Sequence, residues 1–269
     1  MTGFWQNKCK SKTTLAFVRV LCFCFLFVPL FFSTVANAKI FDASKSAGGA
    51  YFRGSYGLGL ENTLNTKSQG TGSKVDSTTP YNFSGEFGGL YSTKFFNIRV
   101  GVEIIYSPEK DTDGIYSSSG AKMYSLTSNI FVLNPKVGIE INVKRWARSR
   151  LQLGGSVGYA MLSARNSYAF NSAGTTQYAL SDFAEELSAT ALSFEGMLGY
   201  ETLMLDSTTI MFEGGYRSLT FDEVTYSKDV INFQGTKAKD AKALSDDGNK
   251  RSLDLSQAYV GMAFRFWFY

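Results

Sequence analysis

Apolar and polar side chains alternate in eight stretches of this sequence. In the third stretch, for example, Phe96, Ile98 and Val100 fall on one face and Arg99 falls on the other. A period of two is typical of β-strands with one apolar and one polar face. The eight predicted strands are Ala50–Leu60, Tyr81–Ser92, Phe96–Tyr106, Lys122–Val143, Arg150–Leu162, Ser188–Tyr200, Thr208–Arg217 and Ser252–Tyr269.

The stretch Lys122–Val143 is the one in which the alternation changes phase. Its apolar residues occupy even positions up to Val132 and odd positions from Val137 onward. Two short strands joined by a turn would also explain the change of phase. The long segment after residue 162 would then lie on the same side of the sheet as the short turns. We therefore predict one long strand with a β-bulge at Asn134–Pro135, where the missing N–H of proline does least harm.

The segments between these strands alternate in length. Three are short: Thr93–Phe95, Lys144–Ser149 and Glu201–Ser207. Four are long and polar: Glu61–Pro80, Ser107–Ala121, Ser163–Leu187 and Ser218–Arg251. Short turns on one side and long loops on the other are typical of a membrane β-barrel with an even number of strands. The second half of the last loop is rich in Lys, Asp and Ala, and it is predicted to be mobile.

The first 38 residues have the pattern of a secretory signal peptide. Basic residues precede an apolar run, Val20–Phe32, and Ala36-Asn37-Ala38 offers a cleavage site. The alternative, a retained helical anchor, is disfavoured by Pro29 within the run and by that cleavage site. We therefore predict a signal peptide, residues 1–38, followed by one β-barrel domain, residues 39–269.

Removal of this leader changes the charge and the cysteine content. The leader holds all three cysteines and four of the 27 basic residues, so 23 basic residues remain against 23 acidic ones. A neutral chain without cysteine gives no support for nucleic-acid binding, disulfides or thiolate metal sites.

The sequence contains no histidine. Neither a Ser-His nor a Cys-His pair nor a histidine-rich metal site can therefore form. A mechanism that uses carboxylates alone stays open, but we predict no catalytic residue, no metal, no cofactor and no enzyme activity.

The polar faces of the predicted strands carry charged residues of both signs. In a barrel these side chains point into the lumen, where an ion must pair or remain hydrated. The predicted network comprises Arg53, Glu86, Arg99, Glu103, Glu140, Glu195, Glu213, Arg217 and Arg265. A plug of Glu–Arg pairs is the favoured interpretation, because eight strands enclose a space just wide enough for side chains. A narrow hydrated pore is the alternative.

The leader, the eight alternating strands, the loop asymmetry and the aromatic final strand together resemble the small outer-membrane β-barrel proteins of Gram-negative bacteria. This group includes the transmembrane domain of OmpA, the Opa-type adhesins and the OmpW-like barrels. The resemblance implies an all-β fold, an eight-stranded antiparallel up-and-down transmembrane barrel, that is monomeric and surrounded by outer-membrane lipid. It also implies that the barrel-assembly machinery recognises the terminal aromatic residues, here Phe264, Phe266, Phe268 and Tyr269.

Two further features concern contacts with partners. The basic turn with Lys144, Arg145, Trp146 and Arg148 is predicted to anchor the barrel at the periplasmic membrane surface, and docking of a periplasmic partner is the alternative. An extracellular ligand would bind the long loops, where Asp182, Glu185 and Glu186 gather negative charge. The predicted role is structural or adhesin-like. The alternative is a narrow porin-like channel, or a conduit for small solutes or hydrophobic molecules.

Overall fold

Eight antiparallel strands close into a barrel in the computed structural model, which describes residues 46–58, 73–74, 81–116, 119–245 and 248–268. The strands and the helix are β1 (Ala47–Leu58), β2 (Ser73–Lys74), β3 (Tyr81–Ser92), β4 (Phe96–Tyr116), β5 (Lys122–Arg145), β6 (Ser149–Phe170), the helix Ser172–Tyr178, β7 (Phe183–Leu205), β8 (Thr208–Phe221), β9 (Thr225–Tyr226), β10 (Val230–Asn232), β11 (Gly235–Lys237), β12 (Leu253–Asp254) and β13 (Gln257–Phe268). The predicted signal peptide, most of the first long loop and Tyr269 lie outside the described residues.

The barrel closes through its last strand. β13 pairs with β8 on one edge and with β1 on the other, where Phe264 lies opposite Phe52. Every other neighbouring pair in the order β1, β3, β4, β5, β6, β7, β8 is also antiparallel. The predicted eight-stranded up-and-down barrel is therefore confirmed.

A belt of apolar side chains encircles the barrel over the half of its height that lies next to the short turns. On β6 the outward positions run from Leu151 to Met161, and Leu153 is 54% exposed. Ten residue steps of about 3.3 Å, tilted by about 40°, give a height of about 25 Å, which is the height of a membrane barrel's apolar band. The next outward residues, Ser163 and Arg165, are polar. The strands therefore cross a membrane and continue beyond it. No helix in the described part of the chain is long and apolar enough to span a membrane.

Four adjacent strands form a tall wall above this belt. β4, β5, β6 and β7 contain 21 to 24 residues, whereas β1, β3, β8 and β13 contain 12 to 14. Much of the predicted loops Ser107–Ala121 and Ser163–Leu187 is therefore strand, and that part of the loop prediction is wrong. Outward Ser163 and Ser167 alternate with inward Ala164 and Tyr168, so the segment is polar enough to resemble a loop while it keeps the period of a strand.

The predicted bulge at Asn134–Pro135 is also wrong, although the single long strand around it is correct. Asn134 and Pro135 pair in unbroken register with β4, and the register against β6 is the same before and after them. The apolar residues change position because the strand leaves the membrane. Val137 faces outward to lipid, whereas Val132 points into the barrel and is fully buried. The irregularities of β4 lie elsewhere, between Ser107 and Lys110 and between Gly114 and Ile115.

An apolar core lies on the inner side of the wall, and residues of the last loop pack into it. Inward residues of the barrel strands, including Ile130 and Leu162, pack with buried residues from the segment after β8. That segment contributes Val224, Tyr226, Ala243, Leu253 and Leu255. The second half of this loop, which is predicted to be mobile, has two buried contact points among the described residues, Ala243 and Arg251.

We predict that an arginine on the outer face of β5 destabilises the protein inside the apolar belt but has little effect above it. Val137 lies in the middle of the apolar belt, so Val137→Arg should lower the free energy of unfolding by about 2 to 4 kcal/mol. Ser125 occupies the same face above the belt, and Ser125→Arg should cost about 0 to 1 kcal/mol. Denaturant titrations in lipid vesicles measure both values. Equal losses would contradict this position of the membrane.

Candidate functional site

Twelve ionisable groups fill the part of the lumen that lies inside the membrane. The nine predicted residues all point inward and are buried. The structure adds Lys136, Arg150 and Glu201, which are equally buried. Among the described residues of this region, the cations are Arg53, Arg99, Lys136, Arg150, Arg217 and Arg265, and the anions are Glu86, Glu103, Glu140, Glu195, Glu201 and Glu213. Six positive charges therefore face six negative charges.

The centre of the network is built around two glutamates. Arg53 Nη1 lies 2.7 Å from Glu86 Oε2, and its Nη2 lies 3.1 Å from Glu195 Oε1. The Nε of the same guanidinium donates to Glu213. Lys136 Nζ reaches Glu86 at 2.7 Å and Glu195 at 3.0 Å. Each of the two glutamates therefore contacts more than one cation, and each cation contacts more than one glutamate.

The network continues to the end of the barrel where the short turns lie. Arg265 Nη2 lies 2.7 Å from Glu140 Oε1, and its Nη1 lies 3.0 Å from Glu201 Oε2. Arg150 Nε donates to the same Glu201 oxygen at 2.8 Å. Arg99 Nη1 lies 3.4 Å from Glu140 and so connects this layer to the centre.

At the opposite end the network gives way to neutral groups. Arg217 Nη1 lies 2.9 Å from Glu103 Oε1, and its Nη2 donates to Asn82 Oδ1 at 3.1 Å. Gln257 Nε2 donates to the same Asn82 oxygen at 2.7 Å. The next inward residues, such as Ile105, belong to the apolar core.

Two tyrosine rings occupy space that lumen glycines leave open. Tyr51 donates to Glu86, and a Cβ at Gly101 would collide with its hydroxyl. Tyr259 donates to Glu195 Oε1 at 2.9 Å, and a Cβ at Gly215 would lie 2.7 Å from its hydroxyl oxygen. Side chains therefore fill the space beside these two glycines.

A separate ion pair holds the last loop over the barrel mouth. Arg251 Nη1 lies 2.7 Å from Glu185 Oε2, and Asn232 Nδ2 donates to Glu185 Oε1 at 2.7 Å. Burial lowers the pKa of Arg251, but the nearby Glu185 carboxylate outweighs it and raises this pKa above its ordinary value. The Arg251 guanidinium therefore stays charged while it is buried.

This pair changes the predicted acidic patch. Glu185 points inward, because it shares a strand face with Leu187. Asp182 Oδ1 accepts a hydrogen bond of 2.8 Å from the Phe170 backbone N–H. Glu186 Oε1 lies 2.7 Å from Lys228 Nζ. The three acidic residues therefore do not form one exposed negative surface.

Three lumen residues were missed because they lie next to strand ends or irregular positions. Arg150 and Glu201 fell at the edges of predicted turns, but β6 begins at Ser149 and β7 continues to Leu205. Lys136 follows the Asn134–Pro135 step, where a bulge was expected. Strict alternation through these positions would have assigned all three to the inward face.

The basic turn between β5 and β6 lies at the end of the barrel where the short turns meet. Lys144 Nζ lies 5.2 Å from the centre of the Trp146 ring, which is 45% exposed. The same ring contacts Tyr200 edge-on at 6.3 Å between centroids. Arg148 is exposed, and Arg145 is half-buried. The turn thus presents an aromatic ring and several cations at the membrane boundary.

The terminal strand alternates in the same way as the others. Phe264, Phe266 and Phe268 lie on its outer face. Trp267 points inward, and its Nε1 donates to Thr209 Oγ1 at 3.0 Å. Tyr269 lies outside the described residues.

Several solved outer-membrane proteins resemble this fold at low sequence identity. OprG from Pseudomonas aeruginosa aligns with a TM-score of 0.42 and 12% identity over 84% of this chain and 99% of its own. Neisserial surface protein A aligns with a TM-score of 0.40 and 8% identity over 84% and 100%. The outer membrane protease OmpT from Escherichia coli gives 0.40 and 9% over 88% and 99%. The sequence matches no protein-family model and no curated protein sequence.

A closed antiparallel barrel with an apolar belt, short turns at one end and long hairpins at the other is the architecture of bacterial outer-membrane proteins. The strand order and the belt of this chain have that architecture on their own evidence. The chain is therefore a small β-barrel of the bacterial outer membrane.

We predict that Glu195→Ala strongly destabilises the barrel. The substitution leaves Arg53, Arg99 and Lys136 buried with one carboxylate too few. Breaking a buried pair in this way should cost about 3 to 5 kcal/mol. The exposed pair of Lys228 and Glu186 provides the control, since Lys228→Ala should cost less than about 1 kcal/mol. Denaturant titration in vesicles measures both, and a loss for Glu195→Ala as small as the control's would contradict the prediction.

Proposed function

We propose that this protein is a closed, non-conducting barrel that presents a folded extramembrane wall to the outside, with a structural or adhesin-like role. The observation that carries this proposal is the filling of the interior in two successive layers. Paired charges occupy the membrane part, and an apolar core occupies the part above it. Residues 1–38 are a secretory signal peptide that is cleaved off after export, and residues 39–269 form the mature protein.

The contacts of the charged layer favour a plug over a cation pathway. A pathway needs carboxylates that a passing ion can approach. Each of the six lumen glutamates instead lies within an ion-pair distance of at least one arginine or lysine. A cation entering this layer would have to displace a resident cation, and no net negative charge attracts it.

The channel alternative has one observation in its favour. Among the described residues, buried polar atoms such as Arg99 Nε, Arg217 Nε and Glu213 Oε2 have no hydrogen-bond partner. Single water molecules at these atoms would satisfy them. A conducting path would also have to cross the apolar core, where Val132 and Leu219 are fully buried. A porin-like channel, or a conduit for small or hydrophobic molecules, is therefore the second candidate.

The surface role rests on the wall and on the loop that covers it. Apolar side chains are exposed far from the lipid belt, among them Ile115 of β4 at 40% and Ile231 of the last loop at 61%. Ile231 lies in the hairpin formed by β10 and β11. Because lipid surrounds the apolar belt, an extracellular ligand would meet this outer end of the protein.

The lower end of the barrel serves as an anchor in the periplasmic leaflet. Lys144, Arg145 and Arg148 lie within reach of lipid phosphates, and the Trp146 ring occupies the headgroup level. Phe95 in the neighbouring turn is 68% exposed and adds a second aromatic ring at the same end. Because all eight strands pair within one chain, the barrel is complete as a monomer.

Planar-bilayer conductance of refolded residues 39–269 tests the closed interior. We expect no steady openings, because ions would have to cross both the paired charges and the apolar core. The substitutions Glu86→Gln and Glu213→Gln serve as matched comparisons. Steady openings of the unmodified protein that either substitution abolishes would overturn the closed barrel in favour of the channel.

The terminal residues Phe264, Phe266, Phe268 and Tyr269 form the signal for the barrel-assembly machinery. We expect Phe268→Ala combined with removal of Tyr269 to reduce the protein in the outer membrane several-fold, while the purified variant still refolds in vesicles. Phe212→Ala is the control, since Phe212 is an outward aromatic residue of β8 that is 51% exposed. Amounts are measured by immunoblot of outer-membrane fractions. An equal reduction for the control would argue against a terminal signal.

A further inference from the structure

The outer face of the wall contains a groove directly above the apolar belt. It lies across β4, β5 and β6 and encloses about 360 Å³, which is within the usual range of ligand sites, about 300 to 1,000 Å³. Its lining includes Glu109, Asn129, Phe131, Ser163, Arg165 and Ser167. Neither the barrel closure nor the lumen network uses these side chains.

The lining residues follow the register of the three strands. Phe131 lies opposite Tyr106 on one side and Ser163 on the other, at the top of the belt. One row higher, Asn129 lies opposite Arg165 and donates to Glu109 Oε1 at 3.0 Å. The groove thus combines an aromatic floor at the hydrocarbon boundary with a polar row above it.

Arg165 is a cation without an ion-pair partner in the described part of the chain. It is exposed, and its neighbour across the strand pair is Glu186. The carboxylate of Glu186 pairs with Lys228 at 2.7 Å. Glu109 accepts a hydrogen bond from Asn129. It lies on β4, and β5 separates it from Arg165 on β6. The Arg165 guanidinium is therefore available to a ligand.

The level of Arg165 limits the class of ligand. It lies four residues beyond Met161, the last residue of the apolar belt on β6. A guanidinium just outside the hydrocarbon meets lipid phosphates, and its planar fork matches them in two hydrogen bonds. The neutral hydroxyl and amide groups beside it, from Ser163, Ser167 and Asn129, match the hydroxyls of a sugar.

We propose that this groove binds the phosphorylated headgroup of a glycolipid in the outer leaflet. The phosphate binds Arg165, and the sugar hydroxyls donate to Glu109 and donate to or accept from Ser163, Ser167 and Asn129. The apolar part of the lipid continues down past Phe131 along the belt. Glu109 accepts from a sugar hydroxyl, and its negative charge disfavours a ligand that carries phosphate alone.

The test measures lipid binding by the mature chain, residues 39–269, folded in detergent micelles. Lipid A is titrated against the unmodified protein and against Arg165→Ala, Arg165→Lys and Ser163→Trp. We expect affinity about tenfold lower for Arg165→Ala, since one charge-assisted contact is lost. Arg165→Lys should retain part of the affinity, and Ser163→Trp should abolish binding by filling the groove. Lys239→Ala, an exposed cation of the last loop, should bind as the unmodified protein does.

Three competitors distinguish the sources of the phosphate. Dephosphorylated lipid A, phosphatidylethanolamine and inorganic phosphate should each bind at least about tenfold more weakly than lipid A if both phosphate and sugar are recognised. Unchanged lipid A affinity in both Arg165→Ala and Ser163→Trp would overturn the proposal. Equal affinity for phosphatidylethanolamine or inorganic phosphate would also overturn it. The difference in gel mobility between boiled and unboiled samples verifies that each variant is folded. These outcomes do not depend on whether the barrel conducts.

Discussion

The need to pair every backbone group within the membrane governs this structure. Hydrocarbon offers no hydrogen bond to an exposed strand edge, so a sheet can cross a bilayer only when it closes. Here closure depends on β13, which pairs with β8 and β1 at once. A soluble domain that ended on such an aromatic strand would expose an edge open to aggregation. In the barrel both edges are covered, and Phe264 and Phe266 face lipid while Arg265 and Trp267 face the interior.

Closure creates an interior whose chemistry changes at the membrane boundary. Inside the membrane the outer face must be apolar, so the polar residues of each strand face inward and are satisfied by one another. Above the membrane the outer face meets water, and the inner face becomes the only place for apolar side chains. β5 shows both regimes on one unbroken strand, with Val137 outside and Val132 inside. The same period of two therefore describes two opposite environments.

This exchange of the apolar and polar faces at the membrane boundary explains which features could be predicted from the sequence and which could not. The inward position of the nine charges follows from alternation, because each residue's face is fixed by its parity. The strand order and the closure follow from the even number of strands, the alternating loop lengths and the resemblance to outer-membrane barrels. The bulge at Asn134–Pro135 was inferred because apolar residues were assumed to face outward throughout. The lengths of β4 to β7 were underestimated for the same reason. Beyond the membrane the outward residues are polar, and Ser163 and Ser167 therefore resemble loop residues. The pairing of Arg251 with Glu185 depends on how the last loop folds back, and no local pattern encodes that contact.

The balance of charge in the lumen links the fold to its role. Placing one ion in a poorly solvated interior costs several kcal/mol, and its partner recovers this cost only when the contacts are close. Six cations and six carboxylates are arranged here so that Glu86 and Glu195 are shared among Arg53, Arg99 and Lys136. Because most of these charges have several partners, moving one side chain to admit an ion or a solute would disturb the neighbouring pairs as well. In the closed barrel that we propose, this network fills the membrane part of the lumen, and the outer wall and the covered mouth are the surfaces that meet other molecules.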